Sequence, residues 1–189
     1  MPILHFVRHG ETEWNREQRV QGVADVPLSA IGREQAQALA ASLAERPIRA
    51  IYASDLRRAL ETAEPLAARL GLPVLPTPAL RERNFGVNEG RLAAEVAAEL
   101  GKEVGTAWHG PDERHPDGES IREVFGRVAA FLDELLDDPP AGEVVLVTSG
   151  GPIRVGTAHL ARETVETVVW RAVENCSVTT VEVEAVSPR

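Results

Sequence analysis

The run Val144-Val145-Leu146-Val147 constrains the fold of this chain more than any other segment. It places four apolar residues in succession, between Pro139-Pro140 on one side and Gly150-Gly151 on the other. A strand with one face in water alternates apolar and polar side chains, whereas a strand in a sheet covered on both faces is apolar throughout. The run therefore predicts a buried strand in a sheet that has helices on both faces, which is an α/β architecture.

Apolar strands and amphipathic helices alternate along the rest of the chain. We predict strands at residues 3–7, 48–53, 72–75 and 178–183. Helices are predicted from a cap at Ser29 to Pro47, from a cap at Ser54-Asp55 to Gly71, over 92–100, from a cap at Ser120 to Pro139, and over 150–162. Residues 102–118 are predicted to form a long surface loop. The pattern predicts one domain over residues 1–189, with a mainly parallel central sheet flanked by helices in three layers.

Charge and cysteine content exclude several classes of protein. The formal net charge is −9 at pH 7, which argues against binding to nucleic acid or to anionic membranes. An anionic substrate must then meet a local cluster of arginines, because the overall field repels it. Cys176 is the only cysteine, so an intrachain disulfide is impossible and a reducing, cytoplasmic location is expected. The N-terminus lacks the pattern of a signal peptide, and no apolar run approaches the roughly 20 residues that span a bilayer.

Three segments rich in polar and charged side chains follow predicted strands. Arg8-His9-Gly10 follows the first strand, residues 54–58 follow the second, and Thr148-Ser149-Gly150-Gly151 follows the apolar run. Ligands bind at the carboxyl ends of the strands in open α/β sheets. An arginine and a histidine that face a Gly-Gly turn at a helix N-terminus are suited to bind an anion. We therefore predict an anion site at the carboxyl ends of these strands.

The run Val7-Arg8-His9-Gly10-Glu11-Thr12-Glu13-Trp14-Asn15 resembles the signature of the histidine phosphatase superfamily, also called the phosphoglycerate mutase-like superfamily. The resemblance continues in the expected order over nearly the whole chain. Its further segments are residues 19–22, 25–29 with Gly32, 54–59 with Thr62-Ala63, 80–86, 118–120 and 175–178. It implies a phosphoglycerate mutase-like fold, and the short chain favours the small-molecule phosphatase branch.

The resemblance implies a role for each matched residue. His9 would attack phosphorus and become a phosphohistidine, which divides the transfer into two steps. Arg8 and Arg58 would hold the phosphate oxygens, and Glu82 would protonate the leaving alcohol and then activate water. Further substrate contacts are implied at Asn15, Gln21, Gly22 and Gly150. No cofactor is implied, and no pair of histidines has the spacing of a zinc motif.

Ser149 departs from the family pattern. The resemblance implies a second catalytic histidine after the strand at 144–147, and Ser149 stands where it is expected. A serine hydroxyl donates one hydrogen bond but carries no positive charge. Because the loss of one transition-state donor costs on the order of 10² to 10³ in rate, we expect slower turnover.

The resemblance leaves more than one function open. The first is a phosphatase that hydrolyses phosphate monoesters of a small molecule, with activity reduced by Ser149. The alternatives are a weakened member that only binds a phosphorylated ligand, and a mutase-type phosphotransferase, which residues 82–86 resemble locally. A serine hydrolase is disfavoured, because Val147 occupies the first glycine position of a Gly-x-Ser-x-Gly turn. The expected partner is a phosphorylated small molecule. The sequence is also compatible with a homodimer.

The remaining histidines give weaker signals. His5, within a strand, and His159, within a helix, are predicted to be structural side chains. His109 and His115 are predicted to be solvated loop side chains. Arg57 is predicted to point into solvent, because adjacent residues of a helix point in different directions.

Overall fold

The computed structural model describes residues 1–104 and 110–183. Strands and helices alternate as the sequence predicts. The elements are β1 (Ile3–Arg8), α1 (Glu13–Arg16), α2 (Ala30–Leu43), β2 (Ile48–Ser54), α3 (Arg57–Leu70), β3 (Val74–Thr77), α4 (Ala93–Glu99), α5 (Ile121–Asp137), β4 (Glu143–Thr148), α6 (Gly150–Leu160) and β5 (Val178–Glu182). Among these residues, no helix is long and apolar enough to cross a membrane.

The strands that the structure describes form one sheet in the order β3-β2-β4-β1-β5. The pairs β1–β4, β4–β2 and β2–β3 are parallel, and β5 alone runs antiparallel, beside β1. The predicted, mainly parallel sheet is therefore confirmed. β4 lies at its centre with every residue buried, which accounts for the uninterrupted apolar run in the sequence.

Successive side chains of β4 enter two separate cores, because side chains alternate between the faces of a sheet. Val144 and Leu146 pack against α5 and α6 on one face. Val145 and Val147 pack against α2 and α3 on the other face. The three-layer arrangement of helices, sheet and helices is confirmed.

A crevice opens where β1 and β4 end side by side. Arg8 and Thr148 are register partners at the carboxyl ends of these strands. The chain after β1 leads to α2 on one face of the sheet, whereas the chain after β4 enters α6 on the other face. Because the two connections diverge, the space between them is open to a ligand, as in other open α/β sheets.

The third strand lies two residues later than predicted, at Val74–Thr77 instead of 72–75. Gly71 ends α3 in the left-handed conformation with φ of 66°. The Leu72 amide then donates to the Ala67 carbonyl at 3.1 Å, which completes the helix end. The residues directly after Gly71 therefore still belong to the cap, and the strand begins after them.

The predicted cap of α3 at Ser54-Asp55 is wrong. The helix begins at Arg57, and its N-cap residue Leu56 makes no side-chain cap bond. Asp55 instead forms a two-bond ion pair with Arg81, at 2.7 and 2.6 Å. The Arg57 amide donates to the Asp25 carboxylate at 2.8 Å, so a residue distant in sequence satisfies the start of this helix.

The short helix α1 was not predicted from the sequence. Its boundary is a capping box: the Thr12 hydroxyl accepts from the Asn15 amide, and the Asn15 side chain accepts from the Thr12 amide, each at 3.1 Å. A helix of four residues is too short to show a helical repeat of apolar residues. The capping box was therefore the only sequence pattern that could have indicated this helix.

Candidate active site

A cavity of ≈ 200 Å³ lies at the crevice between the ends of β1 and β4. It is lined by all of the candidate catalytic and substrate-contact residues, and we call it the phosphate cavity. The residues that line it are Arg8, His9, Asn15, Arg19, Gln21, Gly22, Arg58, Glu82, Phe85, Ser149, Gly150 and Arg154.

Backbone contacts fix the turn that carries His9. The His9 amide donates to the Thr148 carbonyl at 2.8 Å, which ties the end of β1 to the end of β4. The next amide, of Gly10, donates to the Thr62 hydroxyl at 2.9 Å. A Cβ on Gly10 would lie 2.6 Å from the Gly32 carbonyl oxygen, so only glycine fits at this approach.

The imidazole of His9 is held as a neutral ring with one nitrogen available. It is 3% exposed, and its Nδ1 lies 2.7 Å from the Gly10 carbonyl oxygen. Because a carbonyl only accepts, Nδ1 carries the proton and Nε2 keeps its lone pair. Burial lowers the pKa of His9 well below its usual range, and the charges of Arg58 and Arg8 lower it further. The ring is thus in the state that a nitrogen nucleophile requires.

Arg58 is buried in the first turn of α3, and its neighbour Arg57 is exposed, as predicted. The Arg58 Nη1 and Nη2 groups donate to the carbonyls of Ala24 at 2.8 Å and Gly22 at 2.6 Å. These contacts fix the plane of the guanidinium at the cavity wall. Burial lowers the pKa of Arg58, while Glu82 raises it.

Arg8, at the end of β1, supplies a second guanidinium to the same cavity. Its Nη1 donates to the Val173 carbonyl. Burial lowers the pKa of Arg8, and the nearby carboxylate of Glu82 raises it. Within the described residues, the buried Nε groups of Arg8 and Arg58 have no hydrogen-bond partner. Two fixed cations with unsatisfied donors on one cavity are suited to bind a phosphate-like anion.

Glu82 is positioned by the first turn of α6. Its Oε1 accepts from the Arg83 amide at 2.8 Å, and its Oε2 accepts from the Gly151 amide at 3.1 Å. A Cβ on Gly151 would lie 2.2 Å from Oε1, so the carboxyl group rests directly on this glycine. Glu82 therefore has one fixed orientation at the cavity wall. There its carboxyl group could give a proton to a bound ligand or take one from it.

The other three predicted contact residues line the same wall. The Asn15 Oδ1 accepts from the Thr12 amide at 3.1 Å, so its amide nitrogen is the donor that a ligand can use. Gly22 has φ of 53°, and its carbonyl holds Arg58. Within residues 1–104 and 110–183, the buried Oε1 of Gln21 has no hydrogen-bond partner.

Ser149 and Gly150 place a helix N-terminus at the cavity. Ser149 is the N-cap residue of α6, with φ of −115° and ψ of 173°, and its side chain makes no cap bond. Gly150 is the first residue of the helix. The Gly151 amide already donates to Glu82 and Pro152 has no N–H, so the Gly150 amide is the donor that this positive helix end offers to a phosphate.

Three residues of the phosphate cavity had no predicted role: Arg19, Phe85 and Arg154. Arg19 donates to the Gly90 carbonyl at 2.8 Å and pairs with Glu17 at 2.6 Å. Arg154 lies four residues after Gly150 in α6, and residues at this spacing share a helix face. That spacing was a signal in the sequence, and it could have placed Arg154 at the site.

A second cavity of ≈ 370 Å³ adjoins the phosphate cavity, and we call it the adjoining cavity. The two share Glu82, Phe85 and Arg154. The other residues that line it are Arg83, Val104, Ile121, Val124, Gly151, Val155, Trp170, Arg171 and Ala172. Its wall is mainly apolar, with two further arginines, so it suits a ligand group that has both apolar and anionic parts.

The prediction that His115 is solvated is wrong. The side chain is buried, its Nδ1 lies 2.9 Å from the Asn88 amide nitrogen, and its ring lies beside Phe85 with centroids 5.5 Å apart. The loop folds inward because the Glu119 amide donates to the Asn84 carbonyl at 2.8 Å. His115 does not line the phosphate cavity.

The structural roles predicted for His5 and His159 agree with their contacts. His5 lies 2.7 Å from the Glu143 carboxylate, and His159 lies 2.7 Å from that of Asp133. His109 lies outside the described residues. Over residues 1–104 and 110–183, no group of three or more His, Cys, Asp or Glu side chains is arranged to hold a metal ion.

Comparison with known proteins agrees with this geometry. A model of the histidine phosphatase superfamily (branch 1) matches residues 4–189. The chain is 35% identical over 184 residues to a probable phosphoglycerate mutase, GpmB, of Shigella boydii, a match that covers 95% of this chain and 84% of that protein.

Two solved structures have the same fold. The mycobacterial glucosyl-3-phosphoglycerate phosphatase in complex with VO3 has a TM-score of 0.88 at 34% identity, over 95% of this chain and 92% of that one. A phosphoserine phosphatase variant from Entamoeba histolytica, in complex with phosphoserine, has a TM-score of 0.82 at 27% identity, over 95% and 90% of the two chains. The family match spans almost the whole sequence, and the chain belongs to the histidine phosphatase superfamily, branch 1.

Proposed function

We propose that this protein hydrolyses phosphate monoesters of a small molecule through a phosphohistidine formed on His9. The observation that carries the proposal is the state of that ring. Its Nδ1 proton is held by the Gly10 carbonyl, so the lone pair of Nε2 is free beside Arg8 and Arg58. A neutral imidazole beside guanidinium groups can attack a phosphorus atom whose oxygens those groups bind.

The reaction has two steps. His9 Nε2 forms a bond to phosphorus while the ester P–O bond breaks, and Glu82 gives its proton to the leaving oxygen. Water then attacks the phosphohistidine, Glu82 takes one of its protons, and phosphate leaves as the N–P bond breaks. Glu82 thus returns to its starting form, and the arginines stabilise the charge on the transferring group in both steps.

The leaving group would occupy the adjoining cavity. That cavity meets the phosphate cavity at Glu82, the residue that must reach the leaving oxygen. Arg83 and Arg171 on its wall favour a leaving group that carries a negative charge. The names of two relatives, a probable phosphoglycerate mutase and a glucosyl-3-phosphoglycerate phosphatase, include a phosphorylated organic acid of this kind. We therefore favour phosphorylated carboxylic acids as substrates.

The test is a screen of phosphorylated metabolites for phosphate release, with His9→Ala beside the wild type. His159→Ala is the matched control, because it removes a histidine that pairs with Asp133 away from both cavities. We expect His9→Ala to abolish release and His159→Ala to change it less than about twofold. A labelled phosphohistidine should be trapped on the wild type and on His159→Ala, but not on His9→Ala. Wild-type turnover in His9→Ala would contradict the proposal.

Two other functions give different results in the same experiments. A mutase-type phosphotransferase, which the relationship to the probable phosphoglycerate mutase favours, would transfer the label to a second hydroxyl faster than to water. A ligand-binding protein without activity would bind phosphate but form no phosphohistidine. A serine hydrolase would be labelled at Ser149 by a fluorophosphonate, and we expect no such label.

A further inference from the structure

We propose that Arg154 is a third phosphate-binding cation of this site and supplies the positive charge that Ser149 cannot. The inference rests on the proposed function in one respect, since the anion is taken to be the phosphoryl group of a monoester. Arg154 lies outside the motif that identifies the site. The resemblance implies a positively charged side chain at position 149, and in this chain Arg154, about one helical turn further along α6, would supply that charge.

The position of Arg154 follows from the geometry of α6. Side chains in a helix lean toward its N-terminus, so residue 154 covers the turn that begins at Gly150. A Cβ on Gly150 would lie 2.9 Å from the Arg154 Nη1 atom and 3.6 Å from Nη2. The end of the guanidinium therefore lies directly over Gly150, at the wall of the cavity that Ser149 also lines.

Two contacts hold the guanidinium there and leave its outer donors available. The Arg154 Nε donates to the Arg171 carbonyl at 2.7 Å, and the guanidinium carbon lies 5.4 Å from the centre of the Trp170 ring. Neither Nη group has a hydrogen-bond partner among residues 1–104 and 110–183. A guanidinium that is stacked and fixed through Nε loses little side-chain freedom when its Nη groups bind an anion.

The charges in the cavity favour an anion. Among the described residues, it is lined by a single carboxyl group, that of Glu82, and by four arginines, Arg8, Arg19, Arg58 and Arg154. Arg154 lies close enough to Arg8 to lower the pKa of that residue. Arg19 is already paired with Glu17 at 2.6 Å. Arg154 is therefore the cation that can join Arg8 and Arg58 when a phosphate monoester dianion binds.

The experiment measures the affinity for inorganic phosphate by isothermal titration calorimetry. Arg154→Met removes the charge and keeps an apolar stem that can still pack on Trp170. Arg69→Met is the matched control, since Arg69 is an exposed arginine on α3 outside both cavities. We expect the Kd for phosphate to rise by about tenfold or more in Arg154→Met, as for a lost charge-assisted hydrogen bond, and by less than about twofold in Arg69→Met.

A second pair of variants tests the link to Ser149. In the Arg154→Met background, Ser149→His should recover most of the lost phosphate affinity, because it restores a cation at the strand end. In the wild-type background, Ser149→His should change the Kd by less than about threefold, since the charge is already present. A tightening of tenfold in the wild-type background would overturn the proposal, even if Arg154→Met fails to fold.

The outcomes separate this inference from the proposed function. A phosphate Kd that is equal in Arg154→Met and Arg69→Met overturns the role of Arg154, whether or not the wild type is a phosphatase. Weaker phosphate binding in Arg154→Met supports that role even if no substrate is hydrolysed and the proposed function fails. Arg154→Lys keeps the charge without the planar fork, so its Kd should lie between those of the wild type and Arg154→Met.

Discussion

The protonation state of His9 depends on one backbone carbonyl and two neighbouring arginines. The Gly10 oxygen selects the tautomer with the proton on Nδ1, and the charges of Arg58 and Arg8 oppose a second proton on the ring. The arginines that would bind the phosphate thus also keep the imidazole neutral. In the proposed function, anion binding and activation of His9 would therefore have one electrostatic origin.

The pKa of His9 has a measurable consequence for stability. In the unfolded chain the ring takes up a proton below a pKa of about 6.5, whereas the folded protein, with its pKa well below that range, does not. The unfolded state then binds more protons, so the free energy of unfolding falls as the pH drops below about 6.5. A free imidazole titrates between about pH 7.5 and 5. Denaturant titrations over this range should show a smaller fall in the free energy of unfolding for His9→Gln than for the wild type.

Nitrogen NMR gives an independent check on the same ring. We expect His9 to remain the Nδ1-protonated tautomer across this pH range. His115 also has a pKa lowered by burial, so the His9→Gln difference is needed to isolate the contribution of His9. Equal pH dependence in the wild type and His9→Gln, with His9 titrating near its usual pKa, would contradict this assignment.

The first turn of helix α6 positions two side chains of the phosphate cavity. Gly150 and Gly151 carry no side chain, so Arg154 can lie over one and Glu82 can rest on the other. The helix that follows β4 thereby positions the Arg154 guanidinium and the Glu82 carboxyl group. The absence of two Cβ atoms is what permits this arrangement.

Gly151→Ala tests this arrangement. The new Cβ would lie 2.2 Å from the Glu82 Oε1, so the carboxyl group must shift and lose its fixed orientation. We expect kcat to fall by about ten- to a hundredfold, as for a catalytic group displaced by about 1 Å. The Kd for phosphate should change little, because the three arginines stay in place.

Gly126→Ala in α5 is the matched control for that substitution. A Cβ there would meet nothing within 4 Å, so alanine should fit without a shift. Because glycine within a helix costs about 0.5–1 kcal/mol relative to alanine, we expect a gain of that size in the free energy of unfolding and no change in kcat. An unchanged kcat in Gly151→Ala would show that the contact between Gly151 and Glu82 does not position the acid.

The sequence predicted those features that depend on local pattern and chain order. The apolar run at β4 and the alternation of strands and helices were enough for the three-layer fold, and the motif order was enough to gather the predicted residues at one cavity. The cap of α3 by Asp25 and the burial of His115 depend on contacts between segments that are distant in sequence. Such contacts cannot be predicted from the pattern of neighbouring residues. Arg154 was missed although its spacing of four residues from Gly150, which places both on one face of α6, was visible in the sequence.

At the scale of the whole molecule, an acidic protein carries a cluster of buried cations. The net charge is −9, yet Arg8, Arg58 and Arg154 all line one cavity, and the buried Nε groups of Arg8 and Arg58 have no partner within the described residues. These cations come from β1 within the sheet and from α3 and α6, which pack on its opposite faces. An anion that binds all three would therefore link both layers of helices through the central strands.

Inorganic phosphate should for this reason raise the melting temperature of the whole protein. A ligand at about 100 times its Kd stabilises the folded state by about 2.7 kcal/mol, which for a chain of this size corresponds to a rise of about 5–10 °C. Sodium chloride at equal ionic strength should give a smaller rise, since it screens the negative surface without bridging the arginines. His9→Ala should keep the phosphate-specific rise because the cations remain, and Arg8→Met should lose most of it. Equal rises in phosphate and chloride, or an undiminished phosphate rise in Arg8→Met, would mean that the cavity does not bind the anion through these guanidinium groups.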